Sequence, residues 1–314
     1  MVVVERAVTA TGESNGSGST LLDRLFDEGL LVPSGVPGLY GRSATYQQLA
    51  DGVSALVSRW AAELRSVKLH FPPLLPRHTF AATGYAESFP DLMGSVHVFG
   101  GGEREHRELR HLVEVGGDWP ALLVPSEVVL CSAACHGVYP QCTGNVPAAG
   151  RYFDVSSYCF RHEPSDEPTR LQCFVQHEVV CVGDADAARL HRDAGLERGV
   201  AILGSLGLDV RAVPASDPFF GRAGRMLSAS QLDEKLKVEA VADVCGDGRP
   251  TALLSANCHG DHFGRSFGIE TAPGETAHSS CIGFGVDRVV IALLSRHGLD
   301  PTRWAPSLRS RLRL

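Results

Sequence analysis

The stretch FRHEPSDEPTRLQCFVQHE, residues 160–178, constrains the fold more than any other part of the chain. It carries three Glu, two Arg, two His, one Asp and one Cys, and VSSYC and VVCVG flank it. Both flanks read as buried β-strands, rich in β-branched residues. A polar, Pro-interrupted connection between two such runs predicts a strand pair with ionisable groups on and between its strands. Two readings stay open from the stretch alone. One is a hairpin laced by exposed ion pairs, each worth only about 0.2–1 kcal/mol. In the other, Arg161 and Arg170 face one anion, since guanidinium matches phosphate in bidentate geometry, and Phe174 offers a flat face for a purine.

The surroundings follow from periodicity. TYQQLADGVSALVSRWAAEL (45–64) sets Leu49, Val53, Leu56, Val57 and Trp60 at i, i+3/i+4 spacing, an amphipathic helix. It runs into SVKLHFPPLLP (66–76), read as one strand ended by a Pro pair. A short helix is predicted at 21–30, and β character at 94–101 and 121–135. Residues 184–208 read as a helix with Ala187, Leu190, Leu196, Val200 and Leu203 near one side. KLKVEAVADVC (235–245) and PTALLSANCH (250–259) read as antiparallel strands about the turn GDGR, and 286–299 as a buried helix stopped by glycine. Residues 1–20 read as a flexible tail, rich in Gly, Ser and Thr over 10–19. No repeat or linker divides 21–314, so a single α+β domain is expected, an antiparallel sheet flanked by helices. A doubly wound architecture is disfavoured, because regular βαβ alternation and G-x-G-x-x-G are both missing.

Composition excludes several function classes. The chain has 314 residues, 44% hydrophobic and 21% charged, with a net charge of −7, so no global basic field draws nucleic acid. Its longest apolar runs, such as VVIALL (289–294), fall far short of the ~20 residues that span a bilayer. The N-terminus has no basic region followed by an apolar stretch, and nine cysteines without an export signal point to a reducing cytoplasm. Cys159, Cys173, Cys181, Cys245 and Cys258 are expected to be small buried apolar residues. Cys131, Cys135, His136 and Cys142 form a local cluster, but C-x3-C-H-x5-C is not a common zinc spacing.

SSCIGFGVDRVVIALL (279–294) sets Gly283-x-Gly285-x-x-Arg288 at the head of an apolar helix, where a backbone can approach a phosphate and an arginine can meet it. F-R-x-E, R-xxx-F-xxx-E and then G-x-G-x-x-R about a hundred residues on together resemble motifs 2 and 3 of the class II aminoacyl-tRNA synthetase catalytic domain. VKLHFPPLL is similar to motif 1, with Pro72 or Pro73 at the dimer-interface proline. The resemblance implies that Arg161 holds the α-phosphate, Phe174 and Arg288 sandwich adenine, and Arg170 and Glu163 help place ATP.

VLCSAACHGVYP resembles the strand that in seryl-tRNA synthetases contacts the substrate amine, with Cys135 in the Glu position. In the atypical zinc-dependent seryl enzymes and the related amino acid:[carrier protein] ligases, that cysteine joins a Glu after motif 2, here Glu178, and a Cys before motif 3, here Cys281, around one Zn²⁺. Cys131 is the alternative to Cys135. Further likeness to the carrier-protein ligases runs through 84–101, 217–239, 255–269 and 277–288. It implies a homodimer that activates a small amino acid, glycine- or alanine-like, with ATP and Mg²⁺, and passes it to the phosphopantetheine thiol of a carrier protein. No tRNA-binding module is evident. Asp217 and Asn257 are candidates for the amino-acid pocket, and Thr251 stands where seryl-tRNA synthetases carry an acidic Mg²⁺ ligand. The competing readings are a free-standing seryl-type tRNA synthetase and a degenerate synthetase-like binding protein.

Overall fold

The computed structural model describes residues 19–218, 220, 236–272 and 274–314. The tail expected at 1–20 lies almost wholly outside the described residues, as does most of the 217–239 resemblance. A seven-stranded sheet organises the described chain. Its strands are β1 (Val67–His70), β2 (Arg151–Phe160), β3 (Cys173–Gly183), β4 (Arg211–Pro214), β5 (Lys237–Asp243), β6 (Pro250–Gly260) and β7 (His278–Gly285), in the spatial order β4-β5-β6-β7-β3-β2-β1. Every neighbouring pair is antiparallel except β1 with β2. β2 and β3 are the strand pair read from the charged stretch, in register from Arg151 opposite Val182 to Phe160 opposite Cys173.

Three helices cover one face: α1 (Ala44–Glu63), α2 (Ala185–Ser205) and α3 (Val286–His297). Alternation along the strands directs Val179, Ile282 and Phe284 into this helical core, and Glu178, Cys281 and Gly283 to the opposite face. α1 starts at Ser43, whose hydroxyl accepts from the Tyr46 N–H, and it buries Leu49, Val53, Val57 and Trp60 as its spacing requires, with Leu56 half-buried. α3 is buried along Val289–Leu294 and is capped by Gly298.

Four expectations need correction. Segment 66–76 is two strands: the Pro72-Pro73 pair removes two backbone donors, so β1 ends at His70 and Leu74–Pro76 joins a separate three-stranded sheet with Ser95–Phe99 and Leu123–Leu130. In segment 121–135 the strand stops at Leu130, and Cys135 rides on a 3-10 turn, Ala134–Gly137. The phase of α2 differs from its apolar pattern. Leu190 is 70% exposed, and Ala188, His191, Gly195, Gly199 and Leu203 face the sheet. A Cβ at Gly195 would collide with Ile282 and one at Gly199 with Leu254, so the helix lies close because it has no side chain there. Finally, Cys173, Cys245 and Cys258 are half-buried rather than core residues.

Candidate active site

The face of the sheet away from the three helices lines a cavity of about 530 Å³. Arg161, Glu163, Phe174, Glu178, Asp217, Asn257, Cys135, Cys281 and Arg288 all border it; of the residues expected from the sequence, Arg170 and Cys131 do not. β3 contributes Phe174, Gln176 and Glu178 on one side of the strand, β6 contributes Ser255, Asn257 and His259, and β7 contributes Cys281 and Gly283. Gly283 pairs opposite Glu178, and Cys281 opposite Asn257. A Cβ at Gly283 would make only ordinary contact, 3.4 Å from Gln176 Nε2 and Glu178 Cγ, so glycine there serves an open floor.

One end of the cavity gathers positive charge. Arg161 donates through Nε to the Ser132 carbonyl (3.3 Å), and its guanidinium lies 5.5 Å from the Phe174 ring centre. Arg288 donates to the Thr169 and Ala252 carbonyls at 3.0 and 3.2 Å. Burial, then the charges of Arg161 and Arg170, push Arg288 below the usual arginine range. The guanidiniums of Arg161 and Arg288, both lining the cavity, favour an anion beside them. Arg170 is exposed and pairs with Glu163 at 2.8 Å, and with Glu167 at 3.7 Å. Asp217 and Glu239 flank the buried Lys237 ammonium at 2.5 and 3.1 Å. Thr251 does not border the cavity; it pairs opposite Ala242 towards the start of β6.

The other end holds Cys135, Glu178 and Cys281, all buried, with ligand atoms within 4.8 Å of one another. Glu178 is 1% exposed and accepts from the Cys135 backbone N–H at 3.2 Å. The hydrogen bond with Cys281, then burial and the Glu178 carboxylate, push the Cys135 thiol well above its ordinary range. Contact with Cys135 pulls Cys281 down, but burial and Glu178 outweigh it and the net shift is upward. A carboxylate and two thiols so placed are costly to ionise without a cation, and two sulfurs with one oxygen are a donor set that suits Zn²⁺. The residues present therefore fit zinc, with a fourth position free for another ligand. Cys131 lies outside this group and donates to the Ala133 carbonyl at 3.1 Å. His136 and Cys142 also lie outside it.

Several features of the site go beyond the sequence reading: the partners of Asp287, the place of His136, and the presence of His259 and His262. Asp287 is 1% exposed; it accepts from the Val175 N–H (2.7 Å) and the Tyr46 hydroxyl (3.0 Å), and pairs with Arg42 (2.8 Å). It thereby ties α1 to β3 beside Phe174 and to α3 beside Arg288. His136, His259 and His262 border the cavity, and His259 approaches Cys281. Burial holds His259 near 4 and His136 near 3, so both rings are neutral. His259 follows Asn257 by two, the period of a strand, but the bulge that sets its direction has no local sequence signal.

Two proteins of Bradyrhizobium diazoefficiens, amino acid–[acyl-carrier-protein] ligases 2 and 1, are each 40% identical to this chain, over 98% and 93% of it and 92% and 90% of their own lengths. The chain belongs to the amino acid–[acyl-carrier-protein] ligase family. It is thus a ligase. No family model matches it. Among solved structures, a Methanopyrus kandleri seryl-tRNA synthetase in complex with an Aquifex aeolicus tRNASec superposes with a TM-score of 0.79 at 21% identity, over 97% of this chain and 63% of that one. A Pyrococcus horikoshii seryl-tRNA synthetase complexed with ATP gives 0.69 at 13% identity, over 96% and 64%. The fold is that of a class II synthetase catalytic domain. Among the described residues no helix is long and apolar enough to cross a membrane.

Proposed function

We propose that the chain activates a small amino acid with ATP and transfers it to the phosphopantetheine thiol of a carrier protein. The observation that carries the reading is one cavity with an arginine-lined end, bordered by Phe174, and a Cys135–Glu178–Cys281 end. The names of the two 40% identical relatives supply the acceptor class.

In this reading the amino acid's carboxylate attacks the α-phosphorus, an acyl–phosphate bond forms, and pyrophosphate departs. Arg161 meets the charge developing on the α-phosphate, Phe174 and Arg288 enclose adenine, and Arg170 with Glu163 orients the nucleotide. Mg²⁺ would enter with ATP as a counter-charge to its phosphates. Cys135, Glu178 and Cys281 would hold Zn²⁺, which would offer Lewis acidity towards a deprotonated α-amine. Asn257 and Asp217 border the place left for the amino acid. The carrier thiol then attacks the acyl carbon, a thioester forms, and AMP leaves. Residues 21–314 act as one catalytic domain, paired with a second copy through the β1 edge.

The acceptor is tested by incubating the enzyme with ATP, labelled glycine or alanine, and holo-carrier, apo-carrier or tRNA in parallel. Label on the holo-carrier alone, released by a thiol reagent, is expected. Label on tRNA and none on a holo-carrier would overturn the carrier reading in favour of a tRNA synthetase.

A further inference from the structure

We infer that His259 is a positioning residue for the metal: it donates its Nε2–H to the Cys281 sulfur and, with Asn257, fixes the direction and charge of that ligand. The inference rests on the zinc reading above.

Cys281 Sγ has two nitrogen neighbours, Asn257 Nδ2 at 3.4 Å and His259 Nε2 at 3.6 Å, both within hydrogen-bond reach of sulfur. The other ring nitrogen, Nδ1, lies 3.0 Å from the Ser279 hydroxyl and 3.5 Å from the Tyr139 hydroxyl. A neutral imidazole carries one N–H, whereas a thiolate only accepts. The arrangement that satisfies every group has Ser279 donating to Nδ1 and Nε2–H aimed at Cys281. The opposite tautomer sets a nitrogen lone pair against a buried thiolate. Ser279 is the nearer of the two hydroxyls to Nδ1, and as a donor there it leaves the ring's N–H on Nε2.

The backbone is shaped for this contact. Cys258 pairs with Ser280 and Gly260 with Ser279, so His259 is the extra residue of a bulge between β6 and β7. Such bulges re-aim side chains beside active sites. Gly260 takes φ +58, which a glycine adopts freely. His259 is not itself a ligand in this geometry, since its nitrogens fall outside the group formed by Cys135, Glu178 and Cys281. Hydrogen bonds to the sulfur withdraw charge from it, which leaves the metal more Lewis-acidic towards its fourth ligand.

The test compares the full-length wild type with His259→Phe, His259→Gln and Ser279→Ala. Zinc affinity is read by chelator competition, and the thiolate-to-metal charge-transfer band is read in Co²⁺-loaded protein. Loss of the donor in His259→Phe is expected to weaken zinc binding about 10–100-fold and move the band to lower energy. His259→Gln, which keeps an amide donor at similar reach, recovers most of both. Ser279→Ala removes only a hydroxyl and shifts the band the same way by less, so the inference is tested even if Phe disturbs the fold. A His259→Phe protein with unchanged affinity and a superimposable cobalt spectrum overturns it. Weaker binding in both His259 variants with an unmoved band assigns the ring a packing role, and also overturns it. Wild-type protein that takes up neither zinc nor cobalt overturns the metal reading and this inference together.

Discussion

Cys281 and Arg161 mark the two ends of the cavity, and each gives a prediction of its own. Cys281→Ala is expected to retain no zinc by elemental analysis, whereas Cys131→Ala keeps it, because Cys131 lies outside the ligand group. Full occupancy in Cys281→Ala contradicts the ligand assignment. Arg161→Ala should lower amino-acid-dependent pyrophosphate exchange by on the order of 10²–10³, the usual effect of deleting one donor to a developing anion. A change of less than about tenfold would mean that Arg161 does not touch the reacting phosphate. At this scale the sequence was legible through a pattern and not through chemistry alone. Cys135, Glu178 and Cys281 lie far apart in the chain, and their convergence came only from resemblance. His259 was missed because a bulge, which no local pattern announces, turns it to the metal.

Among the elements, the Asp287 junction is where packing and site meet. Its carboxylate and the Arg42 guanidinium have side chains 2% and 9% exposed, so deleting one leaves a buried, unpaired charge. Asp287→Ala is therefore expected to cost roughly 3–5 kcal/mol in urea unfolding. Arg170 and Glu163 pair at the same distance, but are 44% and 26% exposed, and Arg170→Ala should cost less than about 1 kcal/mol while still slowing exchange. Equal costs for the two variants would contradict this ranking. The phase of α1 was legible because its contacts are made by large apolar residues at helical spacing. That of α2 was not, because Gly195 and Gly199 make the contact and a pattern of apolar side chains does not register glycine. Helix Glu103–Val115 went unread for a related reason: it buries no residue, so packing leaves no stripe to follow.

Across the whole molecule, acid should act through buried histidines. Burial holds His191 near 4 and His136 near 3, below the ~6.5 of an unfolded histidine. As pH falls, the unfolded chain takes up these protons first. Stability is then complete above about pH 6.5 and declines towards about pH 4, by up to about 1.4 kcal/mol per pH unit for each such group. A urea midpoint that stays flat from pH 7 to 4.5 contradicts this. The exposed β1 edge, with Val67 40% exposed, should pair two copies, giving in solution twice the 33.6 kDa chain mass. A monomer at micromolar concentration argues against that assembly. The α+β class was legible from strand pairs joined by polar turns, but the split at Pro72-Pro73 into two sheets was not. Amino-acid-dependent exchange of labelled pyrophosphate into ATP, run on zinc-loaded protein and on protein stripped by a chelator, tests the central claim most directly. Exchange with a small amino acid, lost on stripping and restored by Zn²⁺, is the predicted result. No exchange with any amino acid in the zinc-loaded protein would contradict it.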